Sequence, residues 1–327
     1  MALAKIDILV PGQLPKKTQE TLADRFAAVR ITEPEELDQL APDLLTRFRG
    51  IARGAHFAIP RALIDRLPKL EIVANFGVGY DGINLKAAAE RDIVVTNTPD
   101  VLTEEVADTA LGLILMTVRE LSAAERHLRA GKWVSEGNYP LTSTLRDRTV
   151  GIVGLGRIGL AVARRLDAMQ VPVVYHTRRP RPDVAYRYFA DLRAMAEAVD
   201  LLIVVIPGTP ETKDLIGRDI LGALGPSGIL INMGRGTVVD ENALIEALRA
   251  RTILAAGLDV FPDEPNVAPE LIALDNTVLL PHVGSASVHT RDAMGQLVVD
   301  NLLSWFERGR PLTPVPETPW RPTTPAG

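Results

Sequence analysis

The chain of 327 residues contains no cysteine, which excludes disulfides, thiolate metal sites and a cysteine nucleophile. It has no excess of positive charge either. Its 36 Lys and Arg stand against 41 Asp and Glu, a net charge of −5, so no basic field draws it to nucleic acid. Long hydrophobic runs are missing: a stretch such as 201–206 falls far short of the roughly 20 apolar residues of a membrane span. Nor does a basic stretch followed by a long apolar one open the chain; residues 5–10 read as a strand stopped by Pro11-Gly12. These absences lead us to expect a cytoplasmic protein with neither nucleic acid nor membrane as partner. What remains is a globular composition, 46% hydrophobic and 24% charged, at a length that calls for two domains.

The most informative stretch is Thr149-Val150-Gly151-Ile152-Val153 running into Gly154-Leu155-Gly156-Arg157-Ile158-Gly159. A β-branched run ends in glycines spaced G-x-G-x-x-G, and Ile158, Val162, Leu166 and Met169 then recur at helical steps. Gly154 permits a tight turn off the strand, Gly156 lets backbone N–H groups approach a pyrophosphate, and Gly159 lets the helix pack close to the sheet. The helix start offers unsatisfied N–H groups and a positive dipole end to phosphates. Between a strand and an amphipathic helix, this spacing reads as a dinucleotide-binding turn.

Around it the chain alternates short apolar runs with helical periods. The first series places strands at 6–10, 50–53, 70–75 and 93–95, with helices at 16–27, 33–45 and 85–90. The second adds strands at 172–175, 201–206, 229–232, 253–258 and 277–280 after the glycine-rich one, with helices at 192–199 and 241–250. Such alternation predicts parallel sheets covered by helices on both faces. Thr98-Pro99 is a hinge candidate, with 285–287 as its counterpart. Residues 103–118 form a helix apolar around most of its circumference, which predicts burial. Residues 132–145, with Trp133, Tyr139 and Pro140, read as an arm. A helix over 288–308 is long enough to return to the first domain, and the Pro- and Thr-rich tail 311–327 reads as extended or disordered.

Candidate chemistry gathers at strand ends, where ligands of open α/β sheets bind. The turn Phe76-Gly77-Val78-Gly79-Tyr80-Asp81-Gly82 exposes backbone amides. After the second strand of the second series comes His176-Thr177-Arg178-Arg179, where an acidic residue would bind a ribose 2′-hydroxyl. Two guanidinium groups and a hydroxyl suit a 2′-phosphate instead. This favours NADP(H), with NAD(H) possible and a solvated basic loop the plain alternative. Arg235, Glu264 and His282 each follow a strand of the second series. Singly, each could be an ordinary turn or packed residue; together, one sheet edge would gather them beside a bound nicotinamide.

Four motifs, Gly154-Leu155-Gly156-Arg157-Ile158-Gly159, Asn232-Met233-Gly234-Arg235-Gly236, Leu258-Asp259-Val260-Phe261 followed by Glu264-Pro265, and Pro281-His282-Val283-Gly284-Ser285, occur in one order. In this the chain resembles the D-isomer-specific 2-hydroxyacid dehydrogenases, and within them the glyoxylate/hydroxypyruvate and hydroxyphenylpyruvate reductases. The resemblance spans nearly the whole chain. It implies an α/β protein of two doubly wound domains. A flavodoxin-like substrate domain would comprise 1–98 and 286–327, and a Rossmann cofactor domain 99–285. It implies that Arg235, Glu264 and His282 are catalytic and that Val78 and Gly79 offer backbone contacts to substrate. Cofactor contacts would fall on Leu155 to Ile158, Thr177 to Arg179, Pro207, Met233 to Arg235, Asp259, Gly284 and Ser285. No metal enters the scheme.

The chemistry has reason to want these groups. Reducing a 2-keto acid puts negative charge on the carbonyl oxygen while the substrate carboxylate must be held. Arg235 can bind that carboxylate and polarise the carbonyl, the amides of Val78 and Gly79 can act as an anion nest, and His282 can deliver a proton. Glu264 would fix the imidazole tautomer, and the resemblance implies that Asp259 lies where the nicotinamide carboxamide is held. The expected activity is NADPH-dependent reduction of small 2-keto acids to D-2-hydroxy acids by a homodimer that closes around its ligands. NAD-dependent oxidation of a hydroxy acid and a non-catalytic, corepressor-like nucleotide sensor are the alternatives.

Overall fold

The computed structural model describes residues 5–318 and Trp320. It divides into two compact units, one of Met1–Leu102 with Ser287–Gly327 and one of Thr103–Ala286. The divisions fall a few residues beyond the Pro99 hinge candidate and within 285–287.

In the first unit, β1 (Asp7–Pro11), β2 (Ala27–Ile31), β3 (Gly50–Arg53), β4 (Ile72–Asn75) and β5 (Val94–Thr96) form one parallel sheet in the order β2-β1-β3-β4-β5. This is the flavodoxin-like winding. Every residue of β3, β4 and β5 is buried, as a parallel sheet covered on both faces requires. The 21-residue helix Val288–Arg308 packs over β3 and β4 and against the helix Lys16–Arg25. Ser287 caps its start by accepting from Thr290 N, and Gly309 ends it at φ 65°.

Two expectations are corrected in this unit, and a third, the extended or disordered tail, is narrowed. The helix from residue 16 stops at Arg25, because Phe26 turns extended and leads into β2. The single helix over 33–45 is instead a 3-10 turn, Pro34–Gln39, and one helical turn, Pro42–Leu45. Pro42 offers no N–H and disfavours helical geometry at Ala41. The start of the Pro- and Thr-rich tail is ordered against β5. Thr96 bridges Pro314, Thr318 Oγ1 accepts from Val95 N at 2.9 Å, and Val315 is buried. Residues 319 and 321–327 of that tail lie outside the described residues.

In the second unit, β6 (Val150–Val153), β7 (Val173–His176), β8 (Arg187–Phe189), β9 (Leu201–Val204), β10 (Ile229–Asn232), β11 (Ala255–Leu258) and β12 (Thr277–Leu279) form a parallel sheet ordered β12-β11-β10-β9-β6-β7-β8. The chain winds outward from β6 in both directions, so β6 ends at the crevice where the strand order reverses. The helix Thr103–Val118 packs on β10, β11 and the helix Arg157–Ala168, burying Val106, Ala107, Ala110, Leu113, Ile114 and Val118. Among the described residues, no helix is long and apolar enough to cross a membrane.

Candidate active site

Because every strand of the second sheet runs the same way, the segments that follow β6, β7, β9, β10, β11 and β12 all leave from one edge. That edge holds all but two of the candidate residues; Val78 and Gly79 follow β4 of the first unit.

At the end of β6, Gly154 sits at φ +98° and donates its N–H to His176 O at 3.0 Å. A Cβ at Gly159 would stand 2.1 Å from Gly154 O, so this glycine is what lets the helix reach the turn. Gly156 differs: a Cβ there meets nothing within 4 Å. It is the N-cap of the helix Arg157–Ala168 and places no side chain over the helix start. The result is an open cradle of amides at a positive helix end, suited to a pyrophosphate. At the end of β7 the side chains of Arg178 and Arg179 are exposed, and no carboxylate occupies the 176–179 stretch. Thr177 Oγ1 donates to Arg179 O at 2.6 Å. Arg181, which the sequence did not single out, joins this loop to the glycine-rich turn by donating from Nη1 to Leu155 O at 2.6 Å. These features fit an NADP-type dinucleotide.

The remaining turns pack on one another through glycines. A Cβ on Gly234 would lie 2.6 Å from Ile206 O, and one on Gly208 3.2 Å from Arg235 Cβ, so the Pro207 and Arg235 turns are in contact. A Cβ on Gly236 would lie 1.9 Å from the carbonyl carbon of Phe261, which seats the Arg235 turn on the segment carrying Glu264. Buried Asn232 shapes the Arg235 turn from within. Its Oδ1 accepts from Gly234 N at 3.1 Å and its Nδ2 donates to Arg235 O at 3.0 Å. Glu264 Oε1 accepts from Phe261 N at 2.9 Å, leaving Oε2 to meet His282 Nδ1 at 2.6 Å. An ionised carboxylate can only accept, so the proton sits on Nδ1 and Nε2 is the nitrogen directed away from Glu264. His282 itself sits in the left-handed region at φ +51°, which few non-glycine residues adopt.

Asp259, only 2% exposed, accepts from Val283 N at 2.7 Å and Gly284 N at 2.8 Å. Burial pushes its carboxyl above the usual range, against the opposing pull of those two N–H donors and His282. A Cβ on Gly284 would lie 2.9 Å from Asp259 Oδ2 and 3.3 Å from Met233 Cε. Met233, Asp259 and Gly284 therefore meet at one point, and Ser285 beside them is buried.

In the first unit, Val78 and Gly79 are half-buried in the turn after β4, entered through Gly77 at φ +139°. Among the described residues, neither the Val78 nor the Gly79 N–H donates a hydrogen bond.

Residues 111–284 match the family profile described as D-isomer specific 2-hydroxyacid dehydrogenase, NAD binding domain. The chain is 44% identical over 313 residues to glyoxylate/hydroxypyruvate reductase A of Arabidopsis thaliana, covering 96% of this chain and 100% of that protein. It is 44% identical over 312 residues to hydroxyphenylpyruvate reductase of Plectranthus scutellarioides, covering 95% and 99%. Among solved structures, it is similar to the NADPH-dependent glyoxylate/hydroxypyruvate reductase of Sinorhizobium meliloti in complex with NADP and malonate. The TM-score is 0.93 and the identity 55%, covering 97% of this chain and 99% of that one.

Proposed function

Because the chain belongs to the D-isomer specific 2-hydroxyacid dehydrogenase family, we propose that it is an NADPH-dependent reductase of small 2-keto acids, glyoxylate and hydroxypyruvate among them, yielding D-2-hydroxy acids. Its similarity to reductases of that description, one of them crystallised with NADP, supports the assignment. The observation that carries it is the hydrogen bond between His282 and Glu264 on the sheet edge that also bears Arg235 and the glycine-rich turn.

The second unit takes the cofactor role. Gly154, Leu155, Gly156, Arg157, Ile158 and Gly159 would hold the pyrophosphate, and Thr177, Arg178 and Arg179 the 2′-phosphate. Pro207, Met233, Gly234, Asp259, Gly284 and Ser285 would hold the nicotinamide end. When bound, NADPH supplies the hydride. The protein's own residues do the rest. Arg235 anchors the substrate carboxylate and polarises the carbonyl beside it, where charge grows during reduction. The Val78 and Gly79 amides of the first unit, which takes the substrate role, hold a carboxylate oxygen. His282 hands the proton from Nε2 to the carbonyl oxygen, while Glu264 keeps Nδ1 protonated and the ring oriented. The protein acts as a homodimer.

The test is turnover with a panel of glyoxylate, hydroxypyruvate, an aryl pyruvate and a sugar keto acid, each with NADPH and with NADH. Turnover of the small acids with preference for NADPH is the expected result. A protein that binds NADPH and reduces none of them is a sensor instead, and preference for NADH removes the 2′-phosphate assignment.

A further inference from the structure

The Val78 and Gly79 amides are aimed by side chains that lie outside every motif of the sequence. Asn75, the last residue of β4 and only 1% exposed, donates from Nδ2 to both Gly77 O and Gly79 O at 3.0 Å. Asn97, just past β5, donates from Nδ2 to Val78 O at 3.0 Å. Gly77 O also accepts from Thr98 N at 3.0 Å, and Gly77 N donates to Thr98 Oγ1 at 3.1 Å. Three consecutive carbonyls therefore each accept from a side-chain amide. In a planar trans peptide the C=O and the following N–H point in opposite directions. Holding Gly77 O turns the Val78 N–H the other way, and holding Val78 O does the same for the Gly79 N–H.

Asn75 is itself fixed. The buried guanidinium of Arg53 donates from Nη1 to Asn75 Oδ1 and from Nε to Phe57 O. With Oδ1 committed to a cation, the amide cannot flip, and its two N–H groups are left for the turn. Gly82 leaves room for this guanidinium, since a Cβ there would lie 2.4 Å from Arg53 Nη2.

We propose that Asn75 and Asn97 are positioning residues that point the Val78 and Gly79 amides at the substrate carboxylate, with Arg53 locking Asn75 in the required orientation. This rests on the reading of those amides as carboxylate donors. It adds that their direction is set before substrate arrives, at a cost already met in folding.

The test compares Asn75→Asp and Asn97→Ala with the wild type. Asp at 75 keeps the shape and an acceptor for Arg53, but presents oxygen instead of N–H to the carbonyls of Gly77 and Gly79. Both variants should raise KM for glyoxylate roughly 10- to 100-fold, the range for hydrogen bonds to a charged group. Oxalate binding to the NADPH complex, measured calorimetrically, should weaken by a similar factor. kcat should fall much less than KM rises, because the lost interaction holds ground state and transition state alike. NADPH affinity should stay within about twofold, a separation that a general loss of folding would not give. KM and oxalate affinity unchanged in Asn97→Ala would overturn the proposal, as would an equal loss of NADPH affinity. Half-buried Asn97 decides the matter even if Asn75→Asp does not fold. Failure of the functional reading would show separately, as a wild type that reduces no 2-keto acid. The oxalate measurement needs no turnover and still ranks the variants.

Discussion

Glu264 Oε2 lies 2.6 Å from His282 Nδ1, and its other oxygen accepts the Phe261 N–H at 2.9 Å. The carboxylate thus bridges the backbone of its own segment and the imidazole, and it fixes which nitrogen of the ring faces the reaction. Replacing His282 by Ala should cost roughly a hundred- to ten-thousand-fold in kcat, and Arg235→Ala a comparable amount. Glu264→Gln retains the shape but can present an N–H to Nδ1, favouring the wrong tautomer, and should cost at least about tenfold. Steady-state kinetics on folded variants check this. Near-full activity in His282→Ala would remove the proton-donor assignment.

The exposed side chains at 178 and 179 make a cleaner experiment, because neither lies in a core. Arg178→Ala should weaken NADPH binding by roughly 10- to 100-fold, the scale of a charge-assisted hydrogen bond. It should leave NADH nearly unchanged. Fluorescence titration with both nucleotides reads the split, and equal losses would mean that Arg178 does not contact the 2′-phosphate.

The motifs were legible because glycine at a strand end marks where backbone must turn sharply or pack closely. Gly154, Gly159, Gly234 and Gly236 do so by the contacts a Cβ would make. Strands buried on both faces, such as β4, β9 and β10, were legible as apolar runs. Two of the four edge strands were not: β2 exposes Arg30, and β8 is the partly exposed triplet Arg187-Tyr188-Phe189. The supporting polar side chains carry no periodic signal. Asn97 serves a carbonyl 19 residues away, and Arg181 one 26 residues away. Only the fold brings those partners together.

Two glycines of the same turn should separate stability from binding. Alanine at 159 drives its Cβ against the backbone oxygen of Gly154, and overpacking of this kind costs typically 1–3 kcal/mol. Alanine at 156 meets nothing within 4 Å, so it should cost less than about 1 kcal/mol, mainly as a poorer N-cap. Its methyl group would still crowd the place assigned to the pyrophosphate. Thermal unfolding and NADPH titration should therefore rank the two variants oppositely relative to their Tm losses: Gly159→Ala loses stability, while Gly156→Ala loses cofactor affinity out of proportion. A Gly156→Ala protein with wild-type affinity would remove the cradle.

The arm after the helix Leu121–Arg129 bears on assembly. Tyr139 OH donates to Glu120 at 2.9 Å, its ring packs edge-on to His127, and His127 Nε2 meets Gly137 O at 3.1 Å. Thus held, the segment still leaves Trp133 59% and Val134 95% exposed, with Leu141 fully exposed. Under the homodimer proposal, these exposed apolar side chains are the surface expected to be covered by the second copy. Sedimentation should give twice the chain mass for the wild type, and a double Val134→Asp, Leu141→Asp variant should shift toward the single-chain mass. A wild-type monomer at micromolar concentration would rule the dimer out.

The buried carboxyl of Asp259 makes a prediction whose sign is fixed by its surroundings. Burial raises its pKa from 3.8, and the N–H groups of Val283 and Gly284 only partly offset this. The folded protein therefore keeps the proton to higher pH than the unfolded chain does. Stability rises with pH only where the unfolded state binds more protons, and here the folded state binds more. The contribution of this group is thus complete below pH 3.8 and is lost as pH climbs through the raised folded value. Asp259→Asn removes the titration while other acids titrate alike in both proteins. Measured by thermal unfolding across the acid range, the variant should gain on the wild type as pH rises. A constant difference would mean that Asp259 keeps its ordinary pKa in the fold, and the opposite slope would mean that the two amide donors outweigh burial.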